Sequence, residues 1–342
     1  MMDQLKELKP DEEFYFQWHI TEKCNLRCKH CYHENYSSAN ELALDQLVEV
    51  ADKIENTLKT WDKKGTLSVT GGEPFVIQEK LFPLLFHLDS LPAIHHFDIL
   101  TNGSFSNQPV LDKLKELKKF RRMQVSLEGS SQRLNDAVRG EGSFEKTLNA
   151  IRLMKKNDFC VAVMMTITKL NKHDIRPMIS LLQDEGVDTF AAERFIPEGR
   201  GADLEEAILS TNELKDVFSE IHSLALSQKK IRILLYRPLY ALLDGNDPTV
   251  GAMCSAGTNA LTIMHDGTLY PCRRLPIPIG NVLQDSLYKV WYTSDVLWNI
   301  RNTKNLKGKC SACDLIPQCR GCRAMAYAIT GDYLSEDCQC WK

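Results

Sequence analysis

Six short apolar runs punctuate the first two-thirds of the chain, at residues 14–20, 65–71, 96–102, 122–128, 159–167 and 189–196. They are rich in β-branched and aromatic residues and read as strands. Between them lie stretches whose apolar residues recur at helical spacing. In 41–61 these are Leu44, Leu47, Val48, Ala51, Ile54 and Leu58, one face of a 3.6-residue period. Similar patterns run through 81–91, 109–120, 144–156 and 174–186. A further helix at 210–228 and a strand at 230–236 follow a charged loop. Strands alternating with helices imply parallel β-α units. The candidate α/β architectures are an open doubly wound sheet or a barrel, complete or partial.

The residues that suggest chemistry sit where strands end. Cys24, Cys28 and Cys31 follow the first strand, Gly71-Gly72-Glu73-Pro74 the second and Thr101-Asn102-Gly103 the third, while Ser126 and Glu128 close the fourth. In parallel α/β barrels the C-terminal strand ends form the active face. The convergence of these motifs on one face is stronger evidence than any of them alone.

Length and charge narrow the classes. The 342 residues suggest two domains, and 43% hydrophobic residues are enough for a sizeable core. A net charge of -3 gives no basic footprint for nucleic acid. No apolar run approaches a membrane span, and the charged start of the chain lacks a signal-peptide core. A cytoplasmic location is expected. Of the 12 cysteines, three lie in the first loop, eight follow Met253, and Cys160 stands alone in an apolar run as a small core residue. In a reducing compartment that distribution points to metal rather than disulfides.

Three thiolates in the spacing C-x3-C-x2-C suit iron or zinc. A structural zinc site closes with four ligands. A [4Fe–4S] cluster held by three cysteines leaves one iron free for a small molecule. The loop resembles that of the radical S-adenosylmethionine (radical SAM) enzymes. The resemblance implies a partial (β/α)6 barrel, which periodicity alone does not select. It also implies SAM bound to the free iron and reductively cleaved to a 5′-deoxyadenosyl radical. Gly71, Gly72, Glu73 and Pro74 match the family's GGEP motif, which binds the amino group of SAM. By the same resemblance Asn102, Ser126 and Glu128 fall in the ribose and carboxylate region. Arg139 corresponds to the basic group for the SAM carboxylate, and His30 to the aromatic beside adenine. Glu193 and Arg194 either reach this face or form an ion pair at the strand end.

The C-terminal cysteines resemble the SPASM domain, a two-cluster extension of many radical SAM enzymes. The resemblance implies one auxiliary [4Fe–4S] cluster on Cys310, Cys313, Cys319 and Cys340, and another on Cys254, Cys272 and Cys322. Three clusters in total are expected. The second auxiliary set is one ligand short, and Cys338 either substitutes for Cys340, completes that set, or leaves an iron open. Zinc remains the alternative for the CxxC pairs. The expected division is an extension at 1–13, a radical SAM partial barrel at 14–205, a connection at 206–250 and a small Cys-rich SPASM domain at 251–342.

Arg273 follows Cys272 where sulfatase-maturing relatives carry an aspartate, which counts against formylglycine formation. Arg273 and Arg274 are either a solvated loop pair or a holder of carboxylates. Only about thirteen residues precede the first strand, too few for a peptide-clasping domain. The leading expectation is a maturase that abstracts hydrogen from a ribosomal peptide or protein, forming a cross-link or an oxidised side chain. The runner-up is side-chain chemistry on a haem-type tetrapyrrole. A flavodoxin- or ferredoxin-type protein would supply electrons.

Overall fold

The structure, a computed structural model, describes residues 12–244, 250–251 and 254–342. The expected extension at 1–13 lies almost wholly outside these residues. Six strands pair in chain order, all parallel: β1 (Glu13–His19), β2 (Lys64–Thr70), β3 (Ile94–Thr101), β4 (Phe120–Ser126), β5 (Val161–Ile167) and β6 (Thr189–Arg194). Helices α1 (Leu44–Trp61), α2 (Gln78–Ser90), α3 (Gln108–Lys115), α4 (Gln132–Arg139), α5 (Ser143–Lys156) and α6 (Ile175–Asp184) occupy the crossovers. α7 (Thr211–Ser227) leads to a two-residue strand, β7 (Arg232–Ile233), parallel to β6.

The chain then returns to the opposite edge. β8 (Ala260–Ile263) pairs parallel with β1, register Tyr15↔Ala260 to Trp18↔Ile263. β9 (Thr268–Tyr270) and β10 (Gly280–Asn281) continue antiparallel. The result is one ten-stranded sheet, order β10-β9-β8-β1-β2-β3-β4-β5-β6-β7, with two free edges. It is an open, partial barrel. The Cys-rich part thus extends the barrel's own sheet, and its remaining helices are α8 (Leu287–Thr293), α9 (Asp295–Arg301) and α10 (Arg323–Thr330). A second tie is Arg194 at the end of β6. Its Nη1 donates to Asp337 Oδ1 (2.9 Å) and Gln339 Oε1 (3.0 Å), and both carboxylate oxygens of Asp337 face the guanidinium.

Strand alternation gives the sheet two unlike faces. Phe14, Phe16 and Trp18 of β1 are buried on the helix side, where Phe14 packs on Trp61 and Trp291. Tyr15 and Gln17, pointing the other way, are half-buried. Met123 and Val125 of β4 are buried, whereas Gln124 and Ser126 are half-buried. The inner face is therefore a polar lumen that water reaches. Burial there still pushes the Tyr15 phenol up to about 12.

Several expectations need correction. On α1 Val50 is buried while Val48 and Leu44 are only half-buried. The 230–236 run pairs only over Arg232–Ile233, because Pro238 opens a 3₁₀ turn soon after. α4 carries few apolar residues, and the periodic pattern does not show it. Cys160 is half-buried at the entry to β5 rather than in the core.

Candidate active site and auxiliary cysteine sites

The Cys loop is seated on the end of β2. The Gly72 N–H donates to Thr21 O (2.9 Å) and the Glu73 N–H to Lys23 O (2.8 Å). A Cβ on Gly71 would lie 2.4 Å from Thr21 O, and one on Gly72 2.3 Å from Lys23 O. The glycine pair is needed to let the loop's backbone approach. The resemblance assigns this motif to the amino group of SAM, yet here the space at the glycines is taken by the Cys loop itself. The Glu41 carboxylate accepts from Thr21 Oγ1 (2.5 Å) and Glu22 N (2.9 Å), and Gly201 N donates to Cys31 O (3.1 Å). The loop is thus pinned from α1's approach, from β2 and from the loop after β6.

Cys24, Cys28 and Cys31 are free thiols. Burial pushes Cys24 up to about 11, and the other two thiols push it the same way. Burial also raises Cys28, against the pull of Arg139. Cys24 Sγ accepts from Leu26 N and Cys31 Sγ from His33 N, both at 3.4 Å. Three sulfurs within one another's field, Cys28 buried and the other two half-buried, fit a metal cluster that binds them as thiolates.

Around this loop the strand ends are cross-linked. Glu73 is fully buried; its carboxylate accepts from Thr101 Oγ1 (2.8 and 2.9 Å), Asn102 N (2.7 Å) and Phe75 N (3.2 Å). It clamps β2 to β3, and its carboxylate is committed to that clamp. Pro74 begins the 3₁₀ turn that Glu73 caps. Asn102 Nδ2 donates to Asn25 Oδ1 (2.9 Å) and lies 3.9 Å from Cys24 Sγ. Glu128, buried at the end of β4, accepts from Arg139 Nε (3.1 Å) and Nη2 (3.0 Å), faces His30 Nε2 (3.3 Å), and accepts from Thr166 N (2.6 Å). Arg139 is buried, not a surface arginine, and its Nη1 has no hydrogen bond among the described residues. Ser126 is half-buried on the lumen side.

The alternative of a Glu193–Arg194 pair does not hold. Arg194 binds Asp337, whereas Glu193 faces the lumen and pairs with Arg237 and, at 3.7 Å, with Arg274. Arg273 is buried, so it is no solvated loop residue. It donates to Glu198 Oε1 (2.8 Å) and Tyr32 O (2.9 Å) and stacks on the Tyr32 ring. Arg237 escaped sequence reasoning, since nothing in its local run marks it. Its guanidinium lies 4.2 Å from the Tyr236 ring centre, and burial, then the like charge of Arg274, bring it down to about 10.

Cys310, Cys313, Cys319 and Cys340 line one cavity of about 390 Å³, walled by Leu239 and Leu242. Cys254, Cys272 and Cys322 form a second group within mutual electrostatic reach, and burial and its neighbours push Cys272 up to about 12. Cys338 is exposed and does not line that cavity, whereas Cys340 does.

A cysteine loop, a β2-end glycine seat and two further cysteine groups on a partial barrel define a class. The chain belongs to the radical SAM superfamily, which matches over residues 18–182, with a SPASM iron–sulfur cluster-binding domain matching over 254–323. It is an enzyme of that class, and its cofactors are SAM and [4Fe–4S] clusters. It is 29% identical over 339 residues to the AdoMet-dependent heme synthase of Methanosarcina barkeri, covering 94% of this chain and 95% of that protein. It is 26% identical to mycofactocin maturase MftC of Mycolicibacterium smegmatis, covering 94% and 80%. In structure it is similar to Streptococcus suis SuiB bound to its precursor peptide SuiA, TM-score 0.76 at 16% identity, over 97% of this chain and 76% of SuiB. No helix among the described residues is long and apolar enough to cross a membrane.

Proposed function

We propose that Cys24, Cys28 and Cys31 hold the cluster that binds SAM, and that the enzyme removes hydrogen from a ribosomal peptide or protein presenting a carboxylate in the lumen. When bound, cluster and SAM supply one-electron cleavage and hydrogen abstraction. The chain's residues position and enclose. Arg139, held by Glu128, offers Nη1 to the SAM carboxylate, a pairing suited to guanidinium. The Gly71–Glu73 backbone, Asn102, Ser126 and His30 complete the shell. Cys310, Cys313, Cys319 and Cys340 hold one auxiliary cluster, and Cys254, Cys272 and Cys322 the other. A flavodoxin- or ferredoxin-type donor delivers the electron in the cytoplasm.

The observation that carries the substrate reading is the sharing of Glu193 by Arg237 and Arg274. Two guanidiniums on one carboxylate leave donors for a second. The full-length match to a heme synthase favours a second reading, a tetrapyrrole with acidic side chains. Turnover under dithionite, read as 5′-deoxyadenosine, separates them. A short peptide encoded beside this gene should stimulate turnover, and its Asn/Gln counterpart should not. Stimulation by coproporphyrin III alone would replace the peptide with the tetrapyrrole. Equal stimulation by the uncharged peptide would remove the carboxylate.

A further inference from the structure

The run Cys319-Arg320-Gly321-Cys322-Arg323 places two arginines between the auxiliary cysteine groups. Arg323 is 2% exposed. Its Nη1 donates to Tyr333 O (3.0 Å) and Ser335 O (2.7 Å). Its Nη2 faces Cys310 Sγ at 3.9 Å, and its Nε is buried without a partner. No carboxylate pairs with it among the described residues. Asp337 is close, but both its oxygens are engaged by Arg194, and by the backbone N–H groups of Cys322 (2.8 Å) and Gln339 (3.1 Å).

Arg320 also has its Nε and Nη1 buried without partners. Gly321 makes the arrangement possible. It has φ +60°, and a Cβ there would lie 2.8 Å from Arg323 Nη2. A buried cation without an anion is costly unless something supplies the negative charge. Nearby carboxylates do not. The sulfurs do, once a cluster holds them as thiolates.

We propose that Arg323 is the fixed counter-charge of the cluster site formed by Cys310, Cys313, Cys319 and Cys340. The proposal rests on the cluster reading above. On reduction each site takes up one electron and no proton, so its charge falls by one. A cation held a few ångströms away stabilises the more negative form. Arg323 therefore raises the potential of its site and makes it a better electron acceptor. It is a positioning residue for electron flow.

Redox titration of the holoenzyme under strict anaerobiosis, followed by electron paramagnetic resonance, tests this. The C24A/C28A/C31A chain identifies the auxiliary signals, and the probe is dithionite with mediators. Arg323→Gln should make reduction of one auxiliary site tenfold harder or more, a fall of at least about 59 mV for one electron. Arg323→Lys should restore most of it, and the other auxiliary signal should keep its wild-type potential in both variants. Unchanged potentials in an iron-replete R323Q protein would overturn the proposal, and so would an equal fall in R323K. If R323Q loses iron from its site while R323K keeps it, the counter-charge is upheld. If both lose it, the residue only fills space and the idea fails. A wild-type chain with no auxiliary iron–sulfur signal would instead remove the cluster reading itself.

Discussion

Glu128→Gln tests the linchpin of the SAM side. The carboxylate is 2% exposed and holds Arg139, His30 and the Thr166 N–H together. Burial alone would push it up, yet the charges of His30 and Arg139 outweigh burial and bring it from 4.5 down to about 2. That difference corresponds to about 3 kcal/mol at neutral pH. Stripping one charge from a buried pair costs ~3–5 kcal/mol by a separate route, so the two figures agree. An unfolding entropy of about 2 cal/mol/K per residue gives roughly 0.7 kcal/mol/K for this chain. Glu128→Gln should therefore lower the melting temperature by about 4–5 °C at pH 7 in anaerobic calorimetry. The folded pKa is depressed, so this stability is present above about 4.5 and is lost as pH falls towards about 2. Glu128 is ionised from pH 8 to 5, so a gap between variant and wild type should be present throughout that range. A gap under about 1 °C, or one that closes between pH 8 and 6, would refute the assigned role.

Other outcomes follow from named contacts. Gly72→Ala puts a Cβ 2.3 Å from Lys23 O, so the Cys loop should fail to seat; 5′-deoxyadenosine formation should disappear while auxiliary iron stays, and normal turnover would contradict that. Cys338→Ser should keep its full iron, whereas Cys340→Ser should lose about four irons; a reversed pattern would return Cys338 to the cluster. Asp337→Ala strands Arg194 in the interior and should cost about 3–5 kcal/mol in denaturant unfolding, and a cost below 1 kcal/mol would show the pair to be dispensable.

Much of the barrel was written in local pattern. Alternating strands and helices, the Cys spacing and the strand-end motifs are short-range features, and each is visible within a few dozen residues. The β8–β1 pairing was not, because it joins Tyr15 to Ala260 across most of the chain and leaves no periodic trace. Residue roles also shifted where identity hides environment. Glu73 is the type of residue that binds an amine, yet its hydrogen bonds are spent on the end of β3 and on its own 3₁₀ turn. Arg139, Arg237, Arg320 and Arg323 look like surface residues by type. Only the packing shows which acids they have and which they lack.

The most direct measurement is 5′-deoxyadenosine produced by the C24A/C28A/C31A protein against wild type, reconstituted and reduced without oxygen. Wild type should form it, and the variant should form none while retaining its auxiliary iron. Production by the variant at the wild-type rate would mean that SAM is cleaved elsewhere, and that the loop seated on β2 is not the site of the chemistry.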